Sequence, residues 1–155
     1  MRVNIETERL ILRNLVPEDY KAAFKWCGDP KVNTYMIYPL YKCAEDVKTW
    51  IEGRNPDEPD NYDVGFVIKE TGELIGSGGI VYNSERDVWV IGYNIKADRW
   101  GHGYAVEAIQ GLIEHVRKTR PVNAIEGQFA VENDKSRMKY LKIGVRLSFG
   151  HAYRG

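Results

Sequence analysis

The residues best placed to do chemistry surround two glycines, Gly101 and Gly103, which lie between a strand-like and a helix-like segment. The first N–H groups of a helix have no acceptor within it and carry a partial positive charge, so they suit phosphate oxygens. Glycine lets the backbone approach a phosphate closely and adopt positive φ. The same spacing is also typical of a plain tight connection, and a short motif alone does not separate the two interpretations.

Two common nucleotide-binding motifs are excluded around this turn. A Walker loop requires GxxxxGK[ST], which the sequence lacks. The dinucleotide fingerprint GxGxxG requires a small residue at position 106, where Val106 stands. A phosphate-binding helix that follows an antiparallel strand therefore indicates another class of ligand.

Hydrophobic periodicity predicts the elements that position the turn. The predicted strands are Arg9–Asn14, Tyr62–Lys69, Leu74–Tyr82, Val88–Ile95, Ala124–Val131 and Val145–Tyr153. The predicted helices are Pro17–Cys27, Ala44–Glu52, Gly103–Arg117 and Ser136–Ile143. This order, β-α-α-β-β-β-α-β-α-β, is typical of an α/β domain with a mixed, mostly antiparallel sheet and flanking helices.

Composition restricts the class of protein. The chain has 155 residues with 22 basic and 22 acidic side chains, which predicts one domain over residues 1–155 and neither a nucleic-acid nor a membrane partner. Two cysteines without a CxxC pair favour a reducing cytoplasm. Neither His115 nor His151 has a second metal-ligating residue at helical or turn spacing, so we expect no metal site. No apolar run predicts a signal peptide or a membrane span.

Three blocks of sequence carry a family resemblance. They are residues 6–13 (ETERLILR) with 16–19 (VPED), residues 91–94 (IGYN) with 100–108 (WGHGYAVEA), and residues 133–136 (NDKS) with 140–144 (YLKIG). These blocks resemble the GNAT superfamily of acetyl-coenzyme A dependent N-acetyltransferases, in particular the branch similar to ribosomal-protein N-terminal acetyltransferases. They keep the family's order over nearly the whole chain.

The resemblance implies a role for each matched position in holding acetyl-coenzyme A. Backbone N–H groups of the glycine turn would hold the pyrophosphate, the preceding strand would pair with the pantetheine amides, and the late helix would lie beside the pantetheine arm. The implied cosubstrate-binding residues are Tyr93, Asn94, Ile95, Arg99, Gly101, His102, Gly103, Tyr104, Ala105, Asn133 and Ser136.

Two residues are candidates for proton transfer. Tyr140 is predicted to protonate the leaving thiolate, and Glu126 to take a proton from the acceptor ammonium, directly or through water. The alternatives are a packing tyrosine on an amphipathic helix and a strand glutamate held in an ion pair. A strand N–H near Asn94 or Ile95 would stabilise the oxyanion.

The resemblance implies transfer of an acetyl group to a primary amine of a protein N-terminus or a small molecule. A coenzyme A binding or interaction module without turnover is the alternative. Tyr35, Met36, Tyr38 and Tyr41 lie where an acceptor could sit. The family fold commonly ends with two strands, whereas this sequence offers one, so either the last strand is lacking or a partner, as in a homodimer, supplies an edge.

Overall fold

The computed structural model describes residues 1–33, 41–130 and 146–153. The strands within these residues are β1 (Asn4–Glu6), β2 (Leu10–Arg13), β3 (Asn61–Ile68), β4 (Leu74–Asn83), β5 (Val88–Ile95), β6 (Ala124–Ala130) and β7 (Arg146–Tyr153). The α-helices are α1 (Tyr20–Cys27), α2 (Pro30–Asn33), α3 (Ala44–Glu52) and α4 (Tyr104–Arg117). Single 3-10 turns at Pro17–Asp19 and Ala97–Arg99 lie before α1 and α4.

The strands form one mixed sheet in the order β1-β2-β3-β4-β5-β6-β7. Pairing is antiparallel from β1 to β5 and parallel between β5, β6 and β7. Short turns suffice for antiparallel neighbours, whereas the parallel step from β5 to β6 needs a crossover, which α4 provides. This crossover places the start of α4 at the end of β5.

Each face of the sheet is covered by helices. One face packs against α4, whose apolar residues recur every three or four positions and are all buried: Ala105, Ala108, Ile109, Leu112, Ile113 and Val116. The opposite face packs against α1 and α3 through a second apolar cluster that includes Trp26 and Ile51. In β5 the alternation sends Trp89 and Ile91 toward α4, so that Val90 and Gly92 face the side of α1 and α3.

The structure confirms the predicted α/β class with a mixed sheet and flanking helices. Strand Val88–Ile95 and helix Ala44–Glu52 have the predicted bounds, and the other described elements agree to within two residues apart from the first helix, whose Pro17–Asp19 start is a 3-10 turn. Two short elements were not predicted: β1, and α2, which begins at Pro30 where a stop was expected. The predicted helix Ser136–Ile143 lies outside the described residues.

Candidate active site

The turn before α4 has the geometry that its glycines predict. Gly101 and Gly103 have φ of 84° and 78°, in the region that L side chains rarely adopt. Gly103 is the N-cap of α4, and no side chain caps the helix. The first-turn N–H groups, which include those of Tyr104 and Ala105, therefore have no acceptor inside the helix and are directed outward from it. This arrangement suits an anion such as a pyrophosphate.

An ion pair between distant parts of the chain braces this turn. Arg9 Nε lies 2.6 Å from Glu107 Oε1, and the Arg9 guanidinium also donates to the carbonyl of His102 at 2.9 Å. The same guanidinium lies 4.4 Å from the centre of the Tyr104 ring. The Arg9 side chain, which belongs to the β1–β2 connection, thus contacts the turn, Tyr104 and Glu107.

Glu107 is the acceptor of this brace. It accepts hydrogen bonds from the Thr7 hydroxyl and from the Arg9 backbone N–H, the latter at 2.7 Å. Although burial opposes the charged form, these hydrogen bonds hold the pKa of the Glu107 carboxyl below its ordinary value. Gly111, one helical turn further on, lets Thr7 approach α4, since an added Cβ would lie 2.8 Å from Thr7 Cγ2.

Strand β5 extends beyond its parallel neighbour. Its last pair with β6 is Ile91 with Gly127, whereas β5 itself continues to Ile95. The Lys96 N–H donates to the Ile75 carbonyl at 2.9 Å, so Lys96 and, by alternation, Asn94 and Gly92 direct their backbone polar groups toward β4. Tyr93 and Ile95 therefore direct theirs away from β4.

The Arg99 side chain is engaged away from the turn. Its Nη2 lies 2.5 Å from Glu73 Oε1, and the same carboxylate pairs with Lys96, which is 8% exposed. The hydrogen bond from Lys96, followed by that from Arg99, lowers the pKa of the Glu73 carboxyl against the opposing effect of burial. These two ion pairs connect the segment before the turn, which contains Lys96 and Arg99, to Glu73 in the β3–β4 connection.

A cavity of about 390 Å³ opens on the sheet face that carries α1 and α3. Its floor is a ladder of cross-strand pairs between β4 and β5: Ser77 with Asn94, Gly79 with Gly92, and Val81 with Val90. The floor is therefore polar at one end, bare in the middle and apolar at the other end. Its bare middle adjoins the point where β5 separates from β6, after Ile91.

The described walls of the cavity are aromatic and contain one ion pair. Trp26, Tyr41 and Trp50 line it, and the Tyr41 and Trp50 ring centres are 6.2 Å apart. Arg54 and Asp63 pair with each other across the wall. Within the described chain three lining atoms are buried without a hydrogen-bond partner: Trp26 Nε1, Asn61 Oδ1 and Asn94 Oδ1. Buried polar atoms of this kind are uncommon and indicate that a ligand or water satisfies them.

Cys27 also lines the cavity, but its thiol is not activated. Burial raises its pKa to about 11, so the thiol stays protonated at neutral pH. Both cysteines are free, and Cys43 is exposed. A covalent intermediate on the Cys27 thiol is therefore disfavoured.

Glu126 is held in an ion pair. Arg86 donates to both of its carboxylate oxygens, at 2.6 and 3.3 Å, and Glu126 is 7% exposed. The hydrogen bond to Glu126 raises the pKa of the Arg86 guanidinium. Glu126 on β6 pairs in register with Val90 on β5, so it lies on the same face of the sheet as the cavity. It stands one strand beyond the floor that β4 and β5 form. The ion pair matches the alternative interpretation of this residue, and its role as a base stays a prediction.

Several predicted residues lie outside the described residues: Asn133, Ser136, Tyr140, Tyr35, Met36 and Tyr38. His102 lies in the turn with its ring 5.8 Å from that of Tyr104, and the His115 ring packs edge-on against Tyr62. Among the residues that the structure describes, no group of three or more potential metal ligands comes together. In the same residues no helix is long and apolar enough to cross a bilayer.

Arg9, Thr7, Glu107 and Asn61 were not predicted as site residues. Arg9 belongs to the first block of the family resemblance and Glu107 to the second, but nothing in their spacing shows that they meet. Asn61 stands at the start of a predicted strand, where a polar residue is ordinary. Only the pairing of the strands brings these residues to the turn and the cavity.

Comparison with known proteins identifies the family. The model of the acetyltransferase (GNAT) domain matches residues 9–146. An uncharacterized N-acetyltransferase, p20 of Bacillus licheniformis, is 32% identical over 146 residues, which cover 92% of this chain and 80% of that protein.

Solved structures share the fold. A GNAT-family acetyltransferase from Bacillus anthracis superposes with a TM-score of 0.79 at 22% identity, covering 92% of this chain and 82% of that one. RimL, a ribosomal L7/L12 α-N-protein acetyltransferase solved with coenzyme A, superposes with a TM-score of 0.74 at 15% identity over 89% and 80% of the two chains. These matches confirm the predicted resemblance and the prediction of an acetyl-coenzyme A dependent enzyme. This chain belongs to the GNAT acetyltransferase family.

Proposed function

We propose that this protein transfers the acetyl group of acetyl-coenzyme A to a primary amine, of a protein N-terminus or a small molecule, that enters the cavity over β4 and β5. The observation that carries the proposal is the continuity of three features. The glycine turn at α4, the part of β5 beyond its last pair with β6, and the bare floor at Gly79 and Gly92 follow one another along the sheet.

The donor would lie along this path. The N–H groups of the glycine turn and of the first turn of α4 are proposed to bind the pyrophosphate. The end of β5 beyond Ile91 is proposed to lie beside the pantetheine arm, as a neighbouring strand does. The Ile95 carbonyl accepts a hydrogen bond from Trp100 Nε1 at 2.7 Å. The backbone group of Ile95 that is proposed to bind acetyl-coenzyme A is therefore its N–H. Asn133 and Ser136 are also proposed to bind the pantetheine arm.

The reaction needs one bond to form and one to break. The neutral amine nitrogen attacks the thioester carbon, the C–N bond forms, and the C–S bond breaks to release coenzyme A as a thiolate. Before attack the acceptor ammonium loses one proton to a base, for which Glu126, directly or through water, is proposed. After attack the nitrogen loses its second proton to solvent, and the thiolate gains one from Tyr140, which solvent reprotonates. Strand alternation favours Ile95 over Asn94 as the N–H that stabilises the oxyanion, because the Asn94 N–H is directed toward β4.

The test is release of free thiol from acetyl-coenzyme A in the presence of a panel of amines and alanine- or serine-initiated peptides, with mass spectrometry of the products. We expect thiol release that depends on an amine, and an added mass of one acetyl group. Tight coenzyme A binding without thiol release from any member of the panel would contradict the proposal and favour the binding module. No binding of coenzyme A at all would contradict both.

The compartment and the domain organisation are part of the proposal. Both cysteines are free, which supports a reducing compartment such as the cytoplasm. One sheet connects β1 to β7, which supports a single domain over residues 1–155. The proposed assembly is a homodimer in which the partner supplies a strand edge.

A further inference from the structure

The residues that line the cavity over β4 and β5 indicate which class of acceptor the cavity binds. We propose that the acceptor is a hydroxylated aromatic monoamine, with its amine over Gly79 and Gly92 and its hydroxyl at Asn61. This inference rests on the proposed function, and it names the class of amine that the site selects. Charge, shape and unsatisfied polar atoms each support it.

Charge argues against polyamines. The described lining carries one carboxylate, Asp63, and one guanidinium, Arg54, and these two pair with each other. Among the described lining residues a second ammonium group would meet no unpaired anion, and a buried unpaired charge is costly. An acceptor with one amine and an uncharged body avoids this cost, since it loses the ammonium charge when its nitrogen is deprotonated for attack.

Shape argues for a flat body. Gly79 and Gly92 face each other across β4 and β5 and leave the middle of the floor without side chains. Trp26, Tyr41 and Trp50 stand over this floor, and Val81 and Val90 continue it as an apolar surface. A planar ring fits between a bare sheet and aromatic walls, where ring–ring contacts add to the burial of apolar area. The cavity volume of about 390 Å³ suits a molecule of this size.

The unsatisfied polar atoms argue for a hydroxyl at the far end. Asn61 pairs with Val81, which pairs with Val90, so Asn61 lies two strands away from β5. Gly79 and Gly92 lie two residues along the strands from this row, so at about 4.8 Å per strand and about 3.4 Å per residue Asn61 lies about 10 Å from the midpoint between them. An extended arylethylamine with a ring hydroxyl, together with a hydrogen bond of about 2.8 Å, covers this distance. Asn61 Oδ1 needs a donor, and Trp26 Nε1 needs an acceptor. Both residues line the cavity, and a hydroxyl group offers the donor that Asn61 Oδ1 lacks as well as an acceptor of the kind that Trp26 Nε1 lacks.

The test compares two probes that differ by one hydroxyl, tyramine and phenethylamine, by calorimetry on the full chain saturated with coenzyme A. We expect tyramine to bind about two- to tenfold more tightly, the range of one neutral hydrogen bond, and spermidine to bind more weakly than either. In Asn61→Ala the difference between tyramine and phenethylamine should vanish. Asn4→Ala, a matched change on the exposed strand β1, should preserve it.

A second variant fills the floor. An added Cβ at Gly92 would have no described atom within 4 Å, so Gly92→Leu should fold and place its side chain in the cavity. We expect this variant to lose tyramine binding at an unchanged melting temperature. Equal affinity for tyramine and phenethylamine, tighter binding of spermidine, or tyramine binding that survives both Asn61→Ala and Gly92→Leu would overturn the inference. Thiol release with spermidine or a peptide but not with tyramine would overturn it while leaving the proposed function intact.

Discussion

Arg9 and Glu107 are 98 residues apart in sequence, yet Arg9 Nε donates to Glu107 Oε1 at 2.6 Å. The pair joins the connection between the first two strands to the first turn of α4. Because the Arg9 guanidinium also holds the carbonyl of His102, the ion pair positions the backbone between Gly101 and Gly103. The brace therefore links a structural contact to the proposed pyrophosphate site.

Glu107→Gln should weaken coenzyme A binding and also destabilise the fold. The amide removes the charge that Arg9 and Thr7 contact and directs N–H groups at donors, so the turn loses its brace. We expect affinity for coenzyme A to fall about three- to tenfold, with a stability loss of about 1 kcal/mol, measured by calorimetry and thermal unfolding. Arg2→Ala, which removes an exposed pair with Asp57, is the control and should change neither. Unchanged affinity in a folded Glu107→Gln protein would show that the brace is structural only.

Gly103→Val should reduce coenzyme A binding through both strain and steric block. Gly103 has φ of 78°, and a β-branched residue there is strained and covers the backbone N–H groups. Gly72, with φ of 76° in the β3–β4 turn, offers a matched control with the same strain. We expect Gly103→Val and the control Gly72→Val each to lose about 1–2 kcal/mol of stability. Only Gly103→Val should lose affinity for coenzyme A. Equal affinity in the two variants would remove the turn from the binding site.

Glu126→Gln separates a proton acceptor from a structural ion pair. If Glu126 is the base, kcat should fall by roughly 10²–10⁴-fold while coenzyme A affinity holds. Arg86→Gln, which removes the partner but keeps the carboxylate, should retain most of the turnover. Were both variants to lose stability equally and keep kcat within about threefold, Glu126 would be a structural residue and water would take the proton.

Tyr140→Phe tests the proposed acid. The change keeps the ring and removes the hydroxyl, so kcat should fall by roughly 10²–10⁴-fold with little change in coenzyme A affinity. Steady-state kinetics with the best amine of the panel measures this, and thermal unfolding reports any loss of packing. Turnover within about threefold of the parent, about 0.6 kcal/mol of barrier, would exclude Tyr140 from proton transfer.

Acid should destabilise the protein through Glu73 and Glu107. Both carboxyls have pKa values lowered in the folded state from an ordinary value of 4.5. Their stabilising effect is therefore fully present above about pH 4.5 and is lost as pH falls through the lower folded-state values. Denaturant unfolding between pH 3 and pH 7, run on the parent and on Glu73→Gln with Glu107→Gln, should show a shallower acid-side loss in the double variant. Parallel curves would show that other carboxyls dominate.

The pattern of residues along the chain was sufficient to predict the main helices and strands and the glycine turn before α4. Alternation in Val88–Ile95 and the apolar stripe of α4 each reflect one buried face, and they need no knowledge of the partner element. The positive φ of Gly101 and Gly103 likewise follows from the residue type and the short connection. For the same reason β1 was missed, since three residues are too few for a periodicity to show.

The sequence by itself determined the α/β class, the order of the main elements and the glycine turn at the start of α4. Only the tertiary structure decided which side chains meet: Arg9 with Glu107, Arg86 with Glu126, and Asn61 with the floor of the cavity. The physical reason is the range of the interactions. Helix periodicity and backbone conformation depend on neighbours along the chain, whereas ion pairs and cavities depend on strand register and on the crossover between β5 and β6, which sequence spacing does not encode.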